Sequence, residues 1–115
     1  MNANCVLIPY DVMKCIGNMD KVYSHSLGDY DLGFMIRRNG FKLISSEEYV
    51  GHCEDNGFDN TWRNPNYSRI ERLKKKESPK GSPFSEWWHF LYKNYNLYFA
   101  VKYSVIPYIK ILIRR

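Results

Sequence analysis

The stretch Gly28-Asp29-Tyr30-Asp31-Leu32-Gly33-Phe34-Met35-Ile36-Arg37-Arg38-Asn39-Gly40 decides how the chain reads. Leu32, Met35 and Ile36 recur at i, i+3 and i+4, which predicts a helix with one buried stripe. Asp29 and Asp31 stand at its N-terminal end, where unpaired backbone N–H groups favour negative charge. Arg37 and Arg38 stand near the opposite end, and Gly40 supplies the stop. Two short strands are expected next, Phe41 to Ser45 and about Tyr49 to Cys53.

Upstream, Ala3 to Ile8 is apolar, is bounded by Pro9 and predicts a buried strand. Left unpaired, such a strand is an apolar edge that invites self-association, so a homo-oligomer is expected. Pro9 fits the first turn of a short helix and Gly17 its end, with Val12, Met13 and Ile16 on one face. From Asn18 to Gly28 no hydrophobic period is sustained, so this stretch, with Tyr23, Ser24, His25 and Ser26, reads as a loop. Downstream, residues 54–64 are polar and loop-like, and a basic helix is expected from Pro65 to about Lys76. Ser78-Pro79-Lys80-Gly81-Ser82-Pro83 reads as a linker. Beyond it, 84–115 predicts two helices, broken near Asn94–Asn96 and disturbed at Pro107. The expected organisation is a first part over 1–77, the linker at 78–83 and a helical tail over 84–115.

With 115 residues, 44% hydrophobic and 25% charged, the composition is that of one small globular domain. No apolar run reaches the roughly 20 residues of a membrane-spanning helix, and the N-terminus lacks the basic-then-apolar pattern of a secretory signal. Cys5, Cys15 and Cys53 are odd in number and form no CxxC pair, which argues against a disulfide framework or zinc cluster and for a cytoplasmic location. Charge is divided unevenly. Residues 1–60 hold five Lys/Arg against nine Asp/Glu, and residues 61–115 hold twelve against three, so −4 and +9 sum to +5. The acidic half suits a metal or a polar substrate; the basic half suits phosphate, nucleic acid or an anionic membrane.

The order of the motifs carries a family resemblance. Gly28-Asp29-Tyr30-Asp31-Leu32, then Asn39-Gly40-Phe41-Lys42, then Val50-Gly51-His52 resembles the C-terminal half of the GT-A fold in family-2 glycosyltransferases. Asn4-Cys5-Val6-Leu7-Ile8-Pro9, Ile16-Gly17-Asn18-Met19-Asp20 and the segment Ser78 to Trp87 extend the resemblance over most of residues 2–90. It implies an α/β fold, or α+β in isolation, and an inverting, nucleotide-sugar-dependent transfer in bacterial polysaccharide or lipopolysaccharide assembly.

By position Asp29 matches the general base that removes a proton from the acceptor hydroxyl, with Asp31 supporting the site. The alternative for both is helix capping. Tyr23, His25 and Tyr30 are the candidate acceptor-binding residues. His52 resembles a ligand of the divalent metal, manganese or magnesium, that holds the donor diphosphate; otherwise it is a hydrogen-bonded histidine at a strand end. Cys53 reads as a small core residue, and Glu54 and Asp55 as a solvated acidic loop. The implied partners are a nucleotide-sugar donor and a glycan or lipid-linked acceptor. The two βαβ units, roughly 30 residues each, that a donor-binding half requires do not precede Ala3. The resemblance therefore implies a portion that uses a metal and acts only with a donor half supplied elsewhere.

In the tail, Trp87, Trp88, Phe90, Tyr92, Tyr95, Tyr98, Phe99, Tyr103 and Tyr108 alternate with Lys93, Lys102 and Lys110. Such a pattern suits an anionic membrane surface, on the inner face of the plasma membrane, or an ordinary packed core or dimer contact. The alternative function is therefore a non-catalytic membrane-surface or protein-binding module. Base stacking with lysines along a phosphate backbone is a third use, but no nucleic-acid-binding motif accompanies it and no nucleic acid is expected.

Overall fold

The computed structural model describes residues 5–25, 27–52, 57 and 59–113. The chain forms two compact units, Met1–Asp55 and Asn56–Arg115. The elements in order are α1 (Tyr10–Ile16), α2 (Leu27–Arg38), α3 (Arg69–Lys76), a 3-10 turn (Pro79–Gly81), α4 (Phe84–Asn94) and α5 (Leu97–Ile113).

The expected α/β class is thereby corrected: the described residues are all helical or irregular, with no strand among them. Cys5–Ile8, Phe41–Ser45 and Tyr49–His52 were expected in strands and form none. The physical reason is a want of partners. A strand satisfies its N–H and C=O groups only against neighbours, and about three strands over a hydrophobic face are needed for stability. Leu43, Ile44, Tyr49 and Val50 are accordingly exposed. The self-association argument from an unpaired strand edge loses its basis at Cys5–Ile8 as well.

In the first unit, α1 starts after Pro9, whose carbonyl accepts the Met13 N–H at 3.1 Å, and stops at Gly17, which holds φ +77°. The predicted stripe of α2 is realised. Ile16, Leu32 and Ile36 are buried together, with Ile8, Val12, Met13, Met35 and Phe41 packed around them. The end of α2 is a Schellman motif. Phe41 N–H donates to the Ile36 carbonyl at 3.2 Å and Gly40 N–H to that of Arg37 at 3.1 Å, with Gly40 at φ +83°. That geometry returns Phe41 onto the core stripe.

In the second unit, α3 is opened by a capping box. Ser68 Oγ accepts the Glu71 N–H at 3.3 Å while Glu71 accepts the Ser68 N–H at 2.9 Å. Residues 78–83 belong to this unit, and the turn at Pro79–Gly81 packs on α3. A Cβ at Gly81 would overlap the Lys75 and Lys76 carbonyls, so only glycine fits the approach. Helices α4 and α5 pack against each other, with α3 also touching α5. Their contacts pair Phe84 with Tyr108 and Trp87 with Tyr103, an antiparallel order in which one number rises as the other falls. The helix break falls at Tyr95–Asn96, as expected, whereas α5 runs through Pro107 without interruption. Glu77 ties three helices together: its carboxylate accepts the Phe84 N–H at 3.1 Å, opening α4, and the Tyr108 hydroxyl of α5.

Candidate functional site

The loop between α1 and α2 turns on Asp20. Its side chain accepts the Val22 N–H at 3.2 Å and its carbonyl the Tyr23 N–H at 3.3 Å. The His25 carbonyl then accepts the Gly28 N–H at 3.0 Å, which seats the loop on the first turn of α2. Gly28 faces this loop closely. A Cβ there would stand 3.5 Å from Met19 Sδ and 3.6 Å from Tyr23 Cβ, so the position is in van der Waals range of both.

This arrangement encloses a cleft of about 330 Å³ lined by Met19, Asp20, Tyr23, Ser24, His25, Gly28 and Asp29. Three of the residues singled out in the sequence, Tyr23, His25 and Asp29, therefore share one cavity. Asp29 is the third residue of α2, within its first turn. His25 is exposed, Tyr23 half-buried and Asp29 half-buried, so an imidazole, a phenol ring and a carboxylate are presented together at the loop–helix junction.

The other sequence-selected residues lie differently. Asp31 is the fifth residue of α2 and only 1% exposed. Tyr30 is 44% exposed and does not line the cleft. His52 is exposed on an irregular segment. Cys53, Glu54 and Asp55, next to it, lie outside the described residues. Among the described residues no group of three His, Cys, Asp or Glu is arranged to hold a metal ion. Asp20 is the lining carboxylate that motif reading passed over. Its signal was the Asp20-Lys21-Val22 turn, an aspartate two residues before a backbone N–H that it can accept.

The cleft's chemistry is that of a small polar site with one aromatic wall. Two carboxylates can accept protons or hydroxyl hydrogen bonds, an imidazole can donate or accept, and a tyrosine ring can cover an apolar sugar face. Neither a family model, nor a curated protein, nor a solved structure matches this chain.

Proposed function

We propose that this chain is the acceptor-side portion of an inverting, nucleotide-sugar-dependent glycosyltransferase, of the kind that assembles bacterial polysaccharide or lipopolysaccharide. The observation that carries the reading is the shared cleft: Asp29, matched by its motif position, and Tyr23 and His25, from the loop before it, line one cavity at the start of α2. The reading rests on those motifs and that cavity, and not on a GT-A sheet, which the described residues lack.

In this mechanism an acceptor hydroxyl sits against the Asp29 carboxylate, which takes its proton as the oxygen attacks the anomeric carbon. The new glycosidic C–O bond forms as the bond to the nucleoside diphosphate breaks on the opposite face, and the anomeric centre inverts. His25 and Asp20 hold neighbouring hydroxyls, and Tyr23 covers the sugar face. The donor sugar and its metal are held by a separate donor-binding half.

A glycan array probed with the labelled chain tests the acceptor site. Retention by a defined glycan subset, lost in His25→Ala and Tyr23→Ala, is expected. Retention by no glycan, or equal retention of the variants, would count against it.

One observation favours a second role beside this one, at an anionic membrane surface. Leu97, Val101, Val105, Ile109 and Leu112 form an exposed apolar row along α5, and Lys102 and Lys110 are exposed on the same helix. Flotation with anionic vesicles should fall as salt rises and should be lost in Val101→Glu/Val105→Glu; unchanged flotation of that variant would remove the surface reading. Among the described residues no helix is long and apolar enough to cross a membrane.

A further inference from the structure

The second unit contains a cleft of its own, about 230 Å³, among the loop before α3, the turn after it, and helices α4 and α5. Its lining includes three cations, Arg63, Lys76 and Lys110, and no acidic side chain. Its walls include three aromatics, Trp62, Trp87 and Tyr103. We infer that this cleft binds a phosphate-bearing ligand, with the phosphate oxygens on the three cations and a small planar or apolar body against the aromatic walls.

The cleft is built rather than incidental. Lys76 is only 2% exposed, and burial costs an ammonium several kcal/mol unless donors and charge are answered. Its ammonium donates to the Ser82 carbonyl, lies 5.5 Å from the centre of the Tyr108 ring and is partly answered by the Glu77 charge. Gly81, where a side chain would strike the α3 carbonyls, lets the turn come close enough to bring Ser82 onto Lys76. Trp87 is held by its indole N–H, which donates to the Tyr103 carbonyl at 3.0 Å across α4 and α5. Trp62 is held from below by buried Arg72, whose Nε donates to the Trp62 carbonyl at 2.9 Å, and carries Arg63 over its ring at 5.4 Å.

Charge and size select the ligand class. Three cations lining one cleft, with no carboxylate in that lining, exceed what a single carboxylate can answer and match a phosphate or diphosphate carrying two to three negative charges. Sites for drug-sized molecules occupy roughly 300–1,000 Å³, so this cleft suits a phosphate group with a short attached body rather than a whole nucleotide. The phosphate can belong to a free phosphorylated metabolite or to a lipid headgroup. The inference does not depend on the cleft at Asp29, whose lining lies in the first unit.

The test uses indole N–H resonances of the full chain labelled with nitrogen-15, titrated with sodium pyrophosphate at constant ionic strength and, separately, with dihexanoyl phosphatidic acid. Saturable shifts of Trp62 and Trp87 with Trp88 unmoved are expected, and binding should weaken about ten-fold in Lys110→Gln and in Arg63→Gln. Both changed side chains are exposed, so the fold is retained and the circular dichroism spectrum should be that of the parent. Response to pyrophosphate assigns a free phosphate, and response to the lipid alone assigns a headgroup; either supports the site. No saturable shift with either probe, equal movement of Trp88, or variants that bind like the parent would overturn it.

Discussion

Helices α2, of 12 residues, and α5, of 17, solve different problems. α2 buries one stripe, Leu32 and Ile36 against Ile16, and presents Asp29 at its start to a small polar cleft. α5 buries Ala100, Ser104 and Ile111 completely, yet leaves Leu97, Tyr98, Val101, Val105, Ile109 and Leu112 exposed. The first helix packs one apolar stripe on its unit, with Asp31 buried beside it. The second is apolar on its outer face as well as its packed one. The difference teaches where energy and chemistry reside: the second unit holds the larger aromatic core, the first the more directed functional groups.

That contrast can be broken first through the core of the second unit. Phe90 is 5% exposed and contacts both Trp87 and Tyr95, so Phe90→Ala should cost about 3–5 kcal/mol. Hydrogen exchange should show protection lost in α3, α4 and α5 while α2 keeps its own. Equal loss in α2 would mean that the units do not unfold separately. A smaller effect is expected at Gly81, where Gly81→Ala forces a methyl against two carbonyls and should cost about 1–3 kcal/mol by chemical denaturation. Ser68→Ala, which removes the N-cap of α3, should cost about 1 kcal/mol by the same measurement.

The pH dependence of the second unit sharpens the comparison further. Burial lowers the Lys76 pKa below its ordinary 10.5, with the Glu77 charge opposing in part. Between that lowered value and 10.5 the unfolded chain binds more protons than the folded one, so stability rises with pH. Tyr108 acts in the opposite sense. Burial, then its hydrogen bond to Glu77, raises the hydroxyl above its ordinary 10.0, so above that pH the unfolded state alone loses the proton and stability falls. Urea midpoints should therefore rise with pH below 10.0 and fall above 10.5, and Lys76→Met should abolish the rise while leaving the fall. A rise that persists in Lys76→Met would assign it to another group.

The sequence was readable where local signals and burial agree. The spacing of Leu32, Met35 and Ile36, the Pro9 and Gly17 boundaries and the glycine stop at Gly40 each specify structure within a few residues, and α1 and α2 follow them. The Ser68-Arg69-Ile70-Glu71 capping box was equally available and places the start of α3 at Arg69, four residues beyond Pro65. The strands were misread because β-prone composition at 41–45 and 49–53 reports a preference for a half-buried surface and says nothing about whether a neighbouring strand exists. Of the candidate site, Asp29, Tyr23 and His25 come together because the loop between α1 and α2 folds back on the first turn of α2. Tyr30 was expected beside them by adjacency in sequence, but the next residue along a helix points about 100° away. The basic cleft of the second unit was invisible to motif reading, since Arg63, Lys76 and Lys110 are brought together only by the packing of α3 and α5.

The central claim is that Asp29 is the base of a transfer reaction, and its most direct test is the turnover of Asp29→Asn in this chain joined to the donor-binding half of a family-2 glycosyltransferase. The account predicts a transfer rate reduced by about 10²–10⁴-fold with an unchanged circular dichroism spectrum. Turnover equal to that of the parent would contradict it.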